Sequence, residues 1–202
     1  DSSDNRNIEV DANSEEIQEE SPEIVTKTGD QGSTGLADGS RRGKNDPRVH
    51  SIGEVDELNA LIGVALSFVD NNEITQALTL VQHDLFDVGA ELCQPGKCLI
   101  QPKYVESIES TADQFNQLLP PLKEFILPSG SQTIAFLHLA RTVCRRVERS
   151  LVSLGTAESV NPITMQYINR LSDFLFILAR SVANQNKGTE VYWQSKYSRL
   201  NQ

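Results

Sequence analysis

The stretch NPITMQYINRLSDFLFILA, residues 161–179, decides the fold. Asn161 is a favoured helix N-cap, and Pro162 suits the first helical position, where its missing N–H would have had no partner. From Phe174 to Ala179 the run is apolar nearly all round. A helix of that kind must be surrounded by other helices or buried in a subunit interface. Working outward, four more helical patterns are available to surround it. Asp46-Pro47 opens the first, with Val49, Ile52, Val55, Leu58, Ile62, Ala65 and Val69 in steps of three and four. The second carries the stripe Ile74, Leu78, Val81, Leu85, Val88, Leu92 and is stopped by Gln94-Pro95-Gly96. Val105, Ile108, Ala112, Phe115 and Leu119 mark a third that ends at Pro120-Pro121. Ser129-Gly130-Ser131-Gln132 has capping-box form and opens the fourth, whose core face is Ile134, Leu137, Cys144, Val147, Leu151 and Leu154. No internal repeat is visible, and no strand pattern lasts long enough to build a sheet. The expectation is an all-α, five-helix bundle.

The charge is unevenly spread. Residues 1–23 hold nine acids and one base, a local charge of −8 out of the total −10, so the remaining chain is almost neutral. That segment is too poor in large apolar residues to offset the entropy of ordering. Residues 1–23 are expected to be a disordered acidic tail, and 24–202 a single domain. No run is long and apolar enough to span a membrane, and the N-terminus has neither signal-peptide nor transit-peptide character. Neither membrane nor nucleic acid is expected as a partner. Cys93, Cys98 and Cys144 lack metal-ligand spacing and read as small buried residues in a reducing compartment. His50, His83 and His138 are scattered, have no Cys or carboxylate spacing that suggests a metal, and read as structural. The cytoplasm is the expected location, with the mitochondrial matrix as the alternative if a transit peptide has been removed upstream.

Between tail and bundle, residues 24–46 are rich in Gly, Ser and Thr and are basic. Gly29, Gly32, Gly35 and Gly39 accompany hydroxyls on Thr26, Thr28, Ser33 and Thr34, and cations on Lys27, Arg41, Arg42 and Lys44. Backbone N–H groups, hydroxyls and cations gathered closely suit a polyphosphate, which presents only acceptors and negative charge. The segment is not a Walker loop: Gly39-Ser40-Arg41-Arg42-Gly43-Lys44-Asn45 has the wrong spacing and Asn where Ser or Thr is required. A flexible linker is the alternative reading of the same composition.

The fourth helix places Arg141, Arg145 and Glu148 on one face, offset from the apolar stripe, with Arg149 continuing the row and Arg146 nearer the core side. Four arginines within nine residues repel one another unless an anion or an acidic partner neutralises them. Glu148 can pair with Arg141 or Arg145 inside the helix, but it cannot balance all four. Exclusive use of Arg suits fixed, bidentate contact with phosphate or carboxylate; a solvated basic face is the alternative. On the fifth helix Asn169 and Asp173 share a face, with Arg170 beside them, and need partners from a ligand, a subunit or a neighbouring helix. Glu54, Asp56 and Glu57 form an acidic patch on the first helix, and Asp56 is a candidate partner for an arginine of the fourth. No Ser/His/Asp or Cys/His grouping offers a nucleophile from the protein itself.

At five of these places the chain resembles a known family, the propanediol-utilisation type of ATP:cob(I)alamin (corrinoid) adenosyltransferase. The motifs are Thr-Lys-Thr-Gly-Asp-Gln-Gly (26–32), Gly-Glu-Val-Asp-Glu-Leu-Asn (53–59), Phe-Ile-Leu-Pro-Ser-Gly (125–130), Ala-Arg-Thr-Val-Cys-Arg-Arg-Val-Glu-Arg (140–149) and Asn-Arg-Leu-Ser-Asp-Phe-Leu-Phe (169–176). The resemblance implies a ferritin-like five-helix bundle assembled as a homotrimer, with each active site between two subunits. It implies phosphate contacts from Thr26, Lys27, Thr28, Gly29, Thr34, Gly35 and Lys44. Further ATP contacts are implied from Arg145, Glu148 and Asn169, and Arg146, Val147 and Arg149 are grouped with them. Mg²⁺ would sit on the phosphates, and the resemblance names no residue that binds it. Arg141 would bridge to Asp56 of a neighbouring subunit, and Phe125 would sit over the corrin and exclude its lower axial ligand. The implied reaction transfers the 5′-deoxyadenosyl group of ATP to Co(I) of cob(I)alamin. A cobalamin reductase and an adenosylcobalamin-dependent acceptor enzyme would be the implied partners. Val25 departs from the pattern, where an aromatic often precedes the first motif. The competing readings are a non-catalytic ATP-binding regulatory bundle and a helical scaffold with a basic docking face.

Overall fold

The computed structural model describes residues 22–186 and 190–196. The expected disordered tail, residues 1–23, therefore lies outside the described residues except for Pro22 and Glu23. Five helices carry the fold: α1 (Pro47–Leu66), α2 (Asn72–Leu92), α3 (Pro102–Asn116), α4 (Gln132–Gly155) and α5 (Pro162–Gln185). α1 packs between α2 and α4, and α5 packs between α4 and α3. The all-round apolar run explains this position: Phe174, Leu175, Leu178 and Ala179 are buried, and only Phe176 and Ile177 reach partway to the surface.

The stripes read from the sequence face one core. The six stripe positions of α2 are at most 3% exposed, and so are the six expected on α4. Helix ends follow local chemistry. Asp46 caps α1 by accepting the backbone N–H of Arg48 at 2.8 Å, and Asn71 caps α2 by accepting that of Ile74 at 3.0 Å. Each such cap contributes about 1 kcal/mol. α1 and α3 end earlier than their stripes suggest, leaving Val69 and Leu119 in the following turns. α4 begins differently from expectation. Its N-cap is Ser131, whose hydroxyl accepts from Ile134 N–H at 3.3 Å, so Ser129 is not the cap and Gln132 is the first helical residue. With Ile134 at the third helical position there is no carboxamide to close a capping box.

The expectation of no sheet is also corrected. β1 (Ser33–Gly35) and β2 (Arg41–Gly43) pair antiparallel, with Thr34 opposite Arg42. Three-residue strands are too short to show an alternation in sequence. The hairpin turn uses Gly39 at φ 84°, a conformation that L side chains rarely adopt. The cysteines divide: Cys144 is buried in the core as expected, whereas Cys93 is half-buried and Cys98 exposed in the turn after α2. No described helix is long and apolar enough to cross a membrane.

Candidate active site

The glycine-rich segment is a built structure rather than a linker. Arg41 Nη2 donates to the Thr28 carbonyl and to the Ser33 hydroxyl, both at 2.9 Å, folding residues 26–29 back onto the hairpin. The Lys44 N–H reaches the Gly32 carbonyl at 2.8 Å. A Cβ on Gly29 would lie 3.0 Å from Lys44 Nζ, so glycine there lets the ammonium approach the backbone closely. Lys27 sits at φ 58°, a left-handed conformation uncommon for a residue with a side chain. Backbone held this way tends to mark ligand-binding turns. The Thr26 and Thr28 hydroxyls share a hydrogen bond of 2.9 Å, and both face solvent. Among the described residues neither Lys27 nor Lys44 has an acidic partner. The result is an exposed shelf of hydroxyls and unneutralised ammonium groups.

On α4, Arg145 is exposed and likewise has no acidic partner among the described residues. Arg141 is half-buried and donates from Nε to His138 Nδ1 at 3.4 Å. Burial, and then the charge of Arg145, push the Arg141 guanidinium below its ordinary value. Two guanidinium groups crowded in this way favour an incoming anion. Glu148 bonds to neither arginine. It accepts from Asn169 Nδ2 of α5 at 3.1 Å, so the polar edge of α5 is tied to α4. Arg170 continues the chain, reaching Asn169 Oδ1 at 2.9 Å and Glu109 at 2.8 Å.

Arg146 pairs with Glu57 of α1, and Ser150 with Glu54. The α1 acids that meet α4 within the chain are therefore Glu54 and Glu57, not Asp56. Arg146 keeps its buried Nε without a hydrogen-bond partner among the described residues. Beside it, Arg149 lines a groove of about 310 Å³ with Pro47, His50 and Glu54. Val147 is fully buried on the core stripe with Cys144 and Leu151, so its side chain has no surface to offer ATP. Asp56 is exposed at an apolar groove of about 430 Å³ between α1 and α2, lined also by Ile52, Leu85 and Phe86.

Phe125 precedes α4 and is 71% exposed. Its position is set by a feature not anticipated from sequence, a short pairing with residues beyond α5. Trp193 N–H donates to the Phe125 carbonyl at 2.8 Å, Leu127 N–H donates to Val191 at 2.7 Å, and the Trp193 ring meets Phe125 edge-on at 5.9 Å. The buried ion pair of Arg180 Nε and Glu190, at 3.0 Å, anchors this segment. Near it, His138 is buried against Phe176, and desolvation, then Arg141, push its imidazole down to about 4. A lone Trp and a Glu near the C-terminus were the signals available in the sequence. They gave no hint of their partner.

No hydrogen bond or ion pair among the described residues joins the hairpin to Arg145, Glu148, Asn169 or Phe125. The hairpin attaches where α4 ends and α5 begins, whereas the Phe125 segment attaches where α4 begins and α5 ends. Residues 24–182 match the family model for cobalamin adenosyltransferase. The chain belongs to the cobalamin adenosyltransferase family. It is 51% identical over 172 residues to a cobalamin adenosyltransferase of Cupriavidus metallidurans, covering 85% of this chain and 94% of that protein. A corrinoid adenosyltransferase of Bacillus subtilis is 40% identical over 172 residues, with 82% and 88% covered. A solved variant of a PduO-type ATP:corrinoid adenosyltransferase from Lactobacillus reuteri, complexed with cobalamin and ATP, superposes with a TM-score of 0.80. It is 35% identical, and the alignment covers 86% of this chain and all of that one.

Proposed function

We propose that this protein transfers the 5′-deoxyadenosyl group of ATP to the cobalt of a reduced corrinoid. The observation that carries the proposal is a set of cations with no acidic partner among the described residues, Lys27, Lys44 and Arg145, in a chain of this family. In the step, the Co(I) electron pair attacks C5′ of ATP. A cobalt–carbon bond forms, the C5′–O bond breaks, and its electron pair leaves on triphosphate. Cob(I)alamin is a strong nucleophile, so the difficult chemistry resides in the corrinoid. The protein's task is to align cobalt with C5′ and stabilise the charge growing on the leaving group.

Lys27, Lys44 and Arg145 supply that charge stabilisation. Thr26, Thr28, Thr34 and the backbone of Gly29 and Gly35 hold phosphate oxygens, while Glu148 and Asn169 orient the nucleoside. No cluster of His, Cys, Asp or Glu among the described residues is arranged to hold a metal ion. Magnesium would accompany the triphosphate, as it does in other phosphate sites where it keeps several of its waters. Such an ion would neutralise phosphate charge. Phe125, held by the Trp193 pairing, covers one axial face of the cobalt. Reaction needs no general base, because the nucleophile carries no proton to lose.

The two halves of the site attach to opposite ends of α4 and α5. This arrangement supports a site shared between subunits of a homotrimer, with Asp56 of one chain facing Arg141 of the next. The reductase that delivers Co(I) and the enzyme that receives adenosylcobalamin are expected partners in the same cytoplasmic compartment. Arg145→Ala tests the assignment: turnover should fall on the order of 100-fold while the sedimentation of the assembly is unchanged. Near-wild-type adenosylation by that variant would remove Arg145 from the mechanism.

A further inference from the structure

The turn between α4 and α5 carries Glu158, which none of the five motifs includes. Its carboxylate accepts from Arg42 Nη1 at 2.6 Å and Nη2 at 2.9 Å, a two-pronged contact, and from Arg48 Nε at 3.3 Å. Arg42 lies on β2 opposite Thr34, two residues before Lys44. Arg48 is a buried residue of α1, 3% exposed, and its Nη1 also reaches the Leu92 carbonyl of α2 at 3.1 Å. Asp46 closes the ring: it caps α1 through Arg48 N–H and stands 3.4 Å from Arg42 Nη1. Arg42 thus joins the hairpin to a fixed assembly made from α1, α2 and the α4–α5 turn.

We propose that Arg42 and Glu158 are positioning residues for ATP, which lock the phosphate hairpin in its binding conformation. The inference rests on reading that hairpin as the triphosphate site. A planar guanidinium held by both carboxylate oxygens fixes orientation as well as distance. Among the described residues Arg42 is the hairpin residue that makes ion pairs with the bundle. The hairpin's other ties to the bundle, among the described residues, are the Ala37 N–H on the Cys93 carbonyl at 3.0 Å, the buried Leu36 side chain and the chain itself leading into α1. A segment containing Gly29, Gly32, Gly35 and Gly39 has many conformations open to it once released. The Arg42 contact also holds the Glu158 carboxyl below the usual carboxylate range, so the clamp remains charged at neutral pH.

The consequence is on affinity rather than on the chemical step. If the released hairpin spends roughly one tenth of its time in the binding conformation, the apparent dissociation constant for ATP rises about tenfold. Once ATP is bound the hairpin is ordered by it, and the bond-making step is unaffected. Loss of a merely structural contact would instead lower the melting temperature and the active fraction, leaving the KM for ATP in place.

Arg42→Met is the informative variant, because the Glu158–Arg48 pair that belongs to the bundle stays intact. The full chain is assayed for adenosylation of reduced cobalamin with ATP varied, beside Arg42→Lys, Glu158→Gln and Lys44→Met. The expected result for Arg42→Met is a KM for ATP raised about tenfold, with kcat and the KM for cobalamin within twofold of wild type. Arg42→Lys should recover part of that loss, and Glu158→Gln should raise the KM for ATP too, together with a lower melting temperature because buried Arg48 loses its charged partner. If Arg42→Met leaves the KM for ATP unchanged while Lys44→Met raises it, the clamp is overturned and the hairpin remains the ATP site. If both leave it unchanged, the reading of the hairpin itself fails, and the clamp with it.

Discussion

His138 illustrates what one buried side chain does in this molecule. It is 3% exposed, lies edge-on to Phe176 and accepts from Arg141, so it is held neutral with its titration pushed down to about 4. Between the ordinary value of 6.5 and about 4 the unfolded chain takes up a proton that the folded chain refuses. Stability contributed by the neutral imidazole is therefore complete above 6.5, declines as pH falls through that window, and levels off below it. His138→Gln, which keeps an acceptor but cannot titrate, should lose less stability than wild type from pH 6.5 to 4 in urea titrations. Parallel losses would show that His138 is not the group responsible. As a sequence symbol, His138 was only one of three scattered histidines. Its burial depends on packing against α5, which no local pattern encodes.

Among the elements, α4 shows how far local sequence reaches. Its apolar stripe was fully legible, since Ile134, Leu137, Cys144, Val147, Leu151 and Leu154 recur at helical spacing and all are buried. Its first residue was not, because Ser129 and Ser131 are equally good caps and the choice falls to the chain path from Phe125. Ser131→Ala should cost about 1 kcal/mol of stability, and Ser129→Ala much less; the reverse order in thermal melts would place the cap at Ser129. The hairpin marks the opposite limit. Its composition pointed to phosphate, but strands of three residues leave no alternation to read, and Arg42 gave no sign that its partner stood far along the chain at Glu158. The same distance in sequence hid the pairing of Phe125 with Trp193.

At the scale of the whole molecule, periodicity was enough to give five helices, whereas the all-round apolar run left open burial among helices or in a subunit interface, and it is the structure that packs α5 against α3 and α4. Assembly of the site is a separate matter. Arg141, Arg145, Glu148 and Asn169 lie on α4 and α5, while Asp56 lies on α1 at a groove lined by α1 and α2, with no hydrogen bond or ion pair to them among the described residues. A site shared by two chains makes a definite prediction. Subunits carrying Asp56→Ala and subunits carrying Arg145→Ala, each nearly inactive alone, should regain about a quarter of wild-type activity when refolded together in equal amounts, because that fraction of interfaces pairs two intact halves. No recovery would place both residues in one chain's site. The central claim is the group transfer itself. Incubated with ATP and chemically reduced cobalamin, the protein should form adenosylcobalamin and inorganic triphosphate in equal amounts, read by the cobalamin spectrum and by phosphorus NMR. ATP binding with neither product formed would contradict the account and leave a nucleotide-binding bundle without this chemistry.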